Sequence, residues 1–225
     1  MKKFDSSSVR DAFIDSVEAA RTLVIGGETT FDPDGRSADI SRETRGLAYV
    51  LLYGAYEKLL KALSRELLET AASHSGYLRE LKPQFGIAGM HSHLQSIGDS
   101  ANRKKVLDEE ARKLFSKIAS EKPDCIQCSF FPDDGSHMKY KQVQFFCRYF
   151  GLPDPNQIFK NDSDLINQIV LNRNAIAHGE QSADEVGRTL SYRESIDLIE
   201  RWKDCWLRFL KAVDDVAEFD EFYLC

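Results

Sequence analysis

The stretch DSDLINQIVLNRNAIAHG at residues 162–179 decides the fold class. Its apolar residues recur at the three- and four-residue spacing of a helix that buries one face. We expect this helix to end at Gly179, because glycine readily adopts the left-handed conformation that closes many helices. The stretch therefore predicts one amphipathic helix of a larger bundle, and its apolar positions are Leu165, Ile166, Ile169, Val170 and Ile176.

Helical patterns continue on both sides of this stretch. Gly26 and Gly27 are expected to end the first helix, and a capping box formed by Ser191 and Glu194 opens the last one. We predict an all-α fold, an up-and-down bundle of about five main helices in a single domain at residues 1–225. The other predicted helices cover about residues 9–24, 42–72, 103–118, 136–150 and 191–213, and the loop insertions cover about residues 26–40, 73–99 and 121–136.

The composition is that of a globular chain. Of its 225 residues, 42% are hydrophobic and 29% are charged, which argues against a disordered or a membrane protein. The longest apolar run, residues 47–56, is far shorter than the roughly 20 residues that cross a bilayer. No signal-peptide pattern follows Met1, and five scattered cysteines do not suggest a disulfide framework. We therefore expect a cytoplasmic protein with no membrane partner.

The formal net charge of −6 disfavours binding to phosphate backbones over most of the surface. Much of the negative charge lies in residues 214–221, which contain five acidic residues and no basic one. Between residues 102 and 148, lysine and arginine outnumber aspartate and glutamate. A surface that binds nucleic acid is therefore expected in that region and beside Arg173.

Arg173, Asn174 and His178 lie at the end of the helix predicted at residues 162–179. Residues four apart stack on one helical face, so Asn174 and His178 point the same way, with Arg173 next to them. Histidine is suited to proton transfer near neutral pH, and arginine binds phosphate through its planar fork. The three side chains could thus act on one phosphate, or they could be ordinary polar residues near a helix end.

The pattern Arg173-Asn174-x-x-x-His178-Gly179 resembles the Arg-x4-6-His motif of the HEPN superfamily (higher eukaryotes and prokaryotes nucleotide-binding). This version is the one most associated with ribonucleases of toxin, antiphage and CRISPR effector systems. The long early helix with Tyr56-Glu57-Lys58 and the long final helix agree with the resemblance. It covers roughly the whole chain in architecture, which implies a HEPN-like bundle in a single HEPN domain at residues 1–225, but only about eight residues in specific sequence.

The resemblance implies a homodimer whose motif helices face each other in a composite site. It also implies metal-independent RNA cleavage without a cofactor: a 2′-hydroxyl attacks the adjacent phosphate and leaves a 2′,3′-cyclic phosphate. His178 would transfer protons, Arg173 would hold the phosphate and Asn174 would position it. The enzyme would be a toxin or phage-defence effector, restrained by an antitoxin or sensor protein. The alternative is a catalytically silent HEPN dimer that binds nucleotides or a protein partner.

One departure from the family limits what is implied about regulation. In HEPN toxins silenced by a nucleotidyltransferase, the motif continues as His-x-Tyr and the tyrosine is modified. Here Gly179 and Glu180 follow His178. The resemblance therefore does not extend to that form of regulation.

Residues 139–150 mix basic and aromatic side chains and contain no acidic one. Such a surface can bind phosphates and stack unpaired bases. Lys139, Lys141 and Arg148 are therefore candidate RNA contacts. The aromatic residues of the same stretch are expected mostly in the core, because Val143, Phe146 and Phe150 recur at helical spacing.

Three other groups have both a functional and an ordinary interpretation, and we expect the ordinary one in each case, so no metal site is predicted. Cys125 and Cys128 have the spacing of half a zinc site, which His137 and Cys147 could complete, but they could also be small loop residues. His91 and His93 could bind metal or line a cleft, or they could simply be solvated. Glu57 could orient Arg173 or be an exposed charge.

Overall fold

A computed structural model describes residues 1–29, 37–91, 94–95 and 111–225 of the chain. The described part is helical, and its only β-type pairing is one isolated bridge between Leu81 and Leu224. The all-α prediction is thus confirmed. The α-helices are α1 (Ser7–Thr29), α2 (Ser37–Ala72), α3 (Pro83–Gly89), α4 (Ala111–Ser120), α5 (Tyr140–Phe150), α6 (Pro155–Phe159), α7 (Ser163–Ala177), α8 (Ala183–Gly187) and α9 (Tyr192–Ala217).

The first helix packs along α2 through the apolar stripe that its sequence predicts. Val17 and Ala20 are completely buried, and Val9, Phe13 and Val24 nearly so. The prediction that Gly26 and Gly27 end this helix is wrong, because α1 continues to Thr29. Gly27 instead lies against α2, where a Cβ atom would come within 2.0 Å of the Thr44 hydroxyl oxygen. The absence of a side chain there permits close packing.

The centre of the bundle is an aromatic cluster between α2, α6 and α9. The Tyr56 ring of α2 lies 4.7 Å from the Trp206 ring of α9, and the Phe159 ring of α6 lies 5.0 Å from the same tryptophan. Trp202 also packs edge-on against Tyr56. Because these large side chains are fully buried, they fix α2 as the helix around which the others are arranged.

Helices α2 and α8 touch through their backbones. A Cβ atom on Gly46 would lie 1.9 Å from the Ala183 carbonyl oxygen, and one on Gly187 would lie 1.8 Å from that of Arg42. Since no side chain fits at either point, α8 lies directly on α2. This short helix follows the end of α7 by five residues, so the contact anchors the chain immediately after the motif.

The predicted irregular regions contain short structured pieces. A 3-10 turn at Leu78–Glu80 and helix α3 bury Leu78 and Phe85 in the core. Of the predicted helix at residues 103–118, the structure describes only the part that lies in α4, because residues 96–110 lie outside the described ranges. The expected insertion at residues 26–40 is wrong at both ends, because residues 26–29 belong to α1 and residues 37–40 to α2, and its middle, residues 30–36, lies outside the described ranges. No helix in the described ranges has both the length and the hydropathy needed to span a membrane.

Candidate active site

Helix α7 ends in a compact turn that fixes the position of His178. Gly179 has a φ of 72°, and its N–H donates to the Ile176 carbonyl oxygen at 3.1 Å. The N–H of His178 donates to the Asn174 carbonyl oxygen at 2.9 Å. The next N–H, from Glu180, turns back to the Ala175 carbonyl oxygen. These bonds satisfy three of the last four carbonyl groups of the helix, so His178 stands exposed on an ordered backbone.

Arg173 is held by two neighbours and leaves part of its guanidinium open. Its Nη1 donates to Asn174 Oδ1 at 3.0 Å, and its Cζ lies 4.2 Å from the centre of the Tyr53 ring on α2. No carboxylate in the described part of the chain forms an ion pair with it. A half-buried arginine that is oriented but not neutralised is well prepared to bind an anion.

The three predicted catalytic residues line one cleft of about 560 Å³, which we call the motif cleft. Helix α7 forms one side of it, helix α2 forms another, and the segment before α5 closes the third. A cleft of this size suits a nucleotide-sized ligand. Its described lining consists of Tyr53, Glu57, Lys61, Phe131, Asp133, His137, Met138, Arg173, Asn174 and His178.

Residues 131–138, just before α5, form one wall of the motif cleft. The wall is irregular, but hydrogen bonds hold it in place. The fully buried Gln142 accepts a hydrogen bond from the Asp134 N–H at 3.0 Å, and its amide donates to the Pro132 carbonyl oxygen. At the other end, the Tyr56 hydroxyl donates to the Met138 carbonyl oxygen at 3.0 Å. The wall is therefore tied to both α5 and α2.

Two successive residues of this wall have left-handed backbone conformations. The φ angles are 52° at His137 and 63° at Met138. Such a conformation costs a residue other than glycine roughly 1–2 kcal/mol, so it persists only where surrounding contacts impose it. Here the buried Met138 side chain and the bond to Tyr56 supply those contacts, and the exposed His137 is presented to the cleft.

The charges around the cleft nearly balance. Glu57 bonds to Lys61 at 2.6 Å, one helical turn away, and this half-buried glutamate has no ion pair with Arg173. Burial, reinforced by the neighbouring Glu57, raises the pKa of Tyr53. The Tyr53 phenol therefore stays protonated near neutral pH and serves as a platform for Arg173, not as a base.

The structure separates the three candidate RNA contacts. Lys139 and Lys141 line a second cleft of about 670 Å³ beside the motif cleft, and His137 lines both. Arg148 lies seven residues beyond Lys141 on α5, stacks on the Phe145 ring and lines neither cleft. The interpretation of the apolar positions is confirmed, because Val143, Phe146 and Phe150 are completely buried.

The cysteines are free thiols with varied burial. Cys125 and Cys128 are half-buried, whereas Cys147 lies in the core, where burial raises the pKa of its thiol to about 12. No group of three or more histidine, cysteine or acidic residues within the described ranges is arranged to hold a metal ion. His91 packs against the Phe130 ring at 4.8 Å, and His93 lies outside the described residues.

Several cleft residues were not among the predicted site residues. Tyr53 and Lys61 each lie four residues from Glu57, so helical spacing alone places all three on one face of α2. Asp133 and His137 come from the irregular wall, whose shape depends on distant contacts. Helical spacing could therefore have placed the α2 residues in the site, whereas no pattern in the sequence predicts the positions of the wall residues.

Comparison with known protein families identifies the family of most of the chain. The sequence model of the family described as RiboL-PSP-HEPN matches residues 29–218. That span contains the motif, both clefts and helices α2 to α9. No curated protein and no solved structure matches the chain.

Proposed function

This chain belongs to the RiboL-PSP-HEPN family of the HEPN superfamily, and from that premise we propose that it is a metal-independent RNA endonuclease. The catalytic residues in this proposal are Arg173, Asn174 and His178. Lys139 and Lys141 bind the substrate beside them, and Arg148 contacts RNA farther along α5. Its biological role would be that of a toxin or phage-defence effector in the cytoplasm, restrained by an antitoxin or a sensor protein.

The proposed reaction is an internal transesterification. The substrate's 2′-hydroxyl oxygen attacks the adjacent phosphorus, the bond from phosphorus to the 5′-oxygen breaks, and the leaving oxygen takes up a proton. The products are a 2′,3′-cyclic phosphate and a 5′-hydroxyl end. One imidazole must accept the proton of the 2′-hydroxyl and another group must deliver one to the leaving oxygen, while a cation stabilises the charged phosphorane.

The observation that carries the proposal is the convergence of Arg173 and His178 on one cleft. Asn174 and Tyr53 orient the guanidinium, so its remaining N–H groups are free to bind a phosphate. His178 lies one turn beyond Asn174 at the exposed helix end. A guanidinium and an imidazole in one nucleotide-sized cleft are the groups that this reaction needs.

A homodimer would complete the proposed site. One protomer supplies one His178, whereas the reaction uses an acid and a base, and a second copy would supply the other imidazole. The need for both an acid and a base is thus a chemical reason for the composite site that the family resemblance implies.

The alternative is a silent dimer that binds nucleotides or a protein partner. The feature that favours it is the pair of carboxylates in the cleft, Glu57 and Asp133, which repel phosphate groups unless Lys61 and Arg173 offset them. The two functions differ in one measurable respect, because only the enzyme produces new RNA ends.

The test is to incubate the purified protein with total RNA and to determine the end groups of the fragments. We expect 2′,3′-cyclic phosphate ends and no effect of EDTA. Arg173→Ala and His178→Ala should each lower the cleavage rate by about 10²-fold or more. Arg193→Ala removes an exposed arginine on α9 outside the cleft and should leave the rate unchanged.

Other outcomes would select against the enzyme. Cleavage that EDTA abolishes would assign the chemistry to a metal ion and not to His178. Intact RNA in the presence of a folded dimer would favour the silent alternative, which nucleotide binding by calorimetry would then support.

A further inference from the structure

The cleft of about 670 Å³ that is lined by Lys139 and Lys141, here called the lysine cleft, differs in its charge from the motif cleft. The charged side chains of its described lining are Lys139 and Lys141, and neither has an ion-pair partner in the described ranges. In the motif cleft, by contrast, Lys61 is already bound to Glu57. On a chain with a net charge of −6, two unpaired lysines in one concave surface mark a local site for anions.

The two clefts share one helix and one residue. Asn167 and Leu171 of α7 line the lysine cleft, and the same helix continues into the motif. Asn167 also accepts a hydrogen bond from the Tyr140 N–H at 3.0 Å, which fixes the start of α5, and thus Lys139 and Lys141, relative to α7. The distance between the lysines and the motif is therefore set by the fold.

His137 stands between the clefts and contributes to both linings. Its left-handed backbone is imposed by the neighbouring Met138, whose carbonyl group binds Tyr56. The exposed imidazole belongs to both linings and is therefore within reach of a chain that occupies both clefts. Leu171, with its large exposed fraction, offers an apolar surface to a base in the lysine cleft.

We infer that the lysine cleft is a second subsite for the same RNA strand, that it binds the phosphodiester next to the scissile one, and that His137 contacts the strand at the crossing point. This inference rests on the proposed function in taking RNA as the substrate. Each cleft has the volume of a site for a single small ligand, so the strand must be unpaired there.

The test measures binding separately from cleavage. The probe is a fluorescein-labelled single-stranded RNA 12-mer of mixed sequence, and its anisotropy is titrated with the full chain carrying His178→Ala, so that no cleavage occurs. In this background, Lys139→Ala/Lys141→Ala should raise the Kd about tenfold. The slope of log Kd against log salt should fall by about 0.7, which is the contribution of one phosphate contact to a single strand.

The matched control removes the same charge elsewhere. Lys58→Ala/Lys122→Ala replaces two exposed lysines that line neither cleft. For His137, the substitution His137→Gly removes the imidazole and keeps a residue that tolerates the left-handed backbone. It should raise the Kd about threefold without lowering the thermal unfolding midpoint, and His137→Asn, which also tolerates that backbone, should restore part of the affinity.

The outcomes separate this inference from the nuclease proposal. If the wild-type protein cleaves RNA but the two lysine pairs have equal effects on the Kd, the second subsite is rejected and the nuclease stands. If the wild-type protein leaves RNA intact, yet binding depends on Lys139 and Lys141 and not on the control pair, the lysine cleft stands as an RNA-binding site and the nuclease is rejected. An unchanged Kd in His137→Gly would remove His137 from the strand's path.

Discussion

The guanidinium carbon of Arg173 lies 4.2 Å from the centre of the Tyr53 ring, so a side chain of α2 supports the arginine of the motif helix. A cation over an aromatic face is stabilised by about 0.5–1 kcal/mol when exposed and by about 2 kcal/mol when desolvated. Tyr53 is only 7% exposed, which places the pair towards the stronger end. The position of the proposed phosphate-binding group therefore depends on a residue outside the motif.

Replacement of Tyr53 should reveal this support. Tyr53→Leu removes the aromatic face, and we expect kcat/KM for RNA cleavage to fall about tenfold, equivalent to about 1.4 kcal/mol. Tyr53→Phe keeps the face and should stay within about twofold of the wild type. Steady-state cleavage of a labelled RNA measures both, and equal losses in the two variants would show that the ring does not position Arg173.

The hydrogen bond from Arg173 to Asn174 predicts losses of activity of different size in two variants of Asn174. Asn174→Ala frees the guanidinium, and we expect about a tenfold loss of cleavage rate with little change in the free energy of unfolding. Asn174→Asp keeps the acceptor but adds a negative charge that competes with the phosphate for Arg173, so its loss should be larger. Activity at saturating RNA decides between them, and a fully active Asn174→Asp variant would contradict this role.

Loss of the buried hydrogen bond between Tyr56 and the Met138 carbonyl group should destabilise the wall of the cleft. Tyr56→Phe leaves that carbonyl group without its donor, and we expect the free energy of unfolding to fall by about 1–2 kcal/mol. Urea denaturation measures this change. Tyr53→Phe is the matched control, because the Tyr53 hydroxyl has no hydrogen-bond partner in the described ranges, and equal effects would refute the assignment.

Two glycines of α2 should respond in opposite ways to alanine. Gly46→Ala places a methyl group on the Ala183 carbonyl oxygen and should cost about 3 kcal/mol through overpacking. Gly54→Ala meets no atom within 4 Å and should stabilise the helix by about 1 kcal/mol. Thermal unfolding of the two variants tests this, and a tolerated Gly46→Ala would mean that α8 does not lie on α2 as described.

The carboxylate that precedes α7 should make stability depend on pH. Burial alone would raise the pKa of Asp162, but hydrogen bonds from Arg201 and Arg208 outweigh burial and lower it. A carboxyl group with a lowered pKa in the folded state stabilises that state above its unfolded pKa, and the contribution disappears as pH falls through the folded value.

Asp162→Asn therefore tests the contribution of this ion pair. Since both arginines are at least half exposed, we expect a loss of under about 1 kcal/mol at pH 7 and a smaller difference from the wild type at pH 3. Urea denaturation at both pH values provides the comparison. A difference that grows towards acid pH would contradict the direction of the shift.

The parts of the structure that could be predicted are those with a repeating pattern. The buried positions of α1 and α7 follow from apolar spacing, and the end of α7 follows from Gly179, whose φ of 72° is the conformation expected of a closing glycine. The same spacing aligns Asn174 with His178. Local rules suffice in these cases, because a helix relates each residue to its neighbours three and four positions away.

The parts that could not be predicted depend on distant contacts. The sequence indicates His137 only as a possible zinc ligand, because nothing near it in sequence indicates two left-handed residues held by Gln142 and Tyr56. The continuation of α1 beyond Gly26 is similar, because the reason lies in Thr44 on another helix. Propensity is a weak guide where tertiary packing opposes it.

The contact between Gly46 and α8 restricts how this protein can change over time. A side chain at position 46 or 187 would lift α8 away from α2, and the chain leading from His178 would shift with it. A larger side chain at either position is therefore expected to disturb the segment that follows the motif. We expect selection to retain glycine at both positions, unless a longer connection between α7 and α8 accompanies the change.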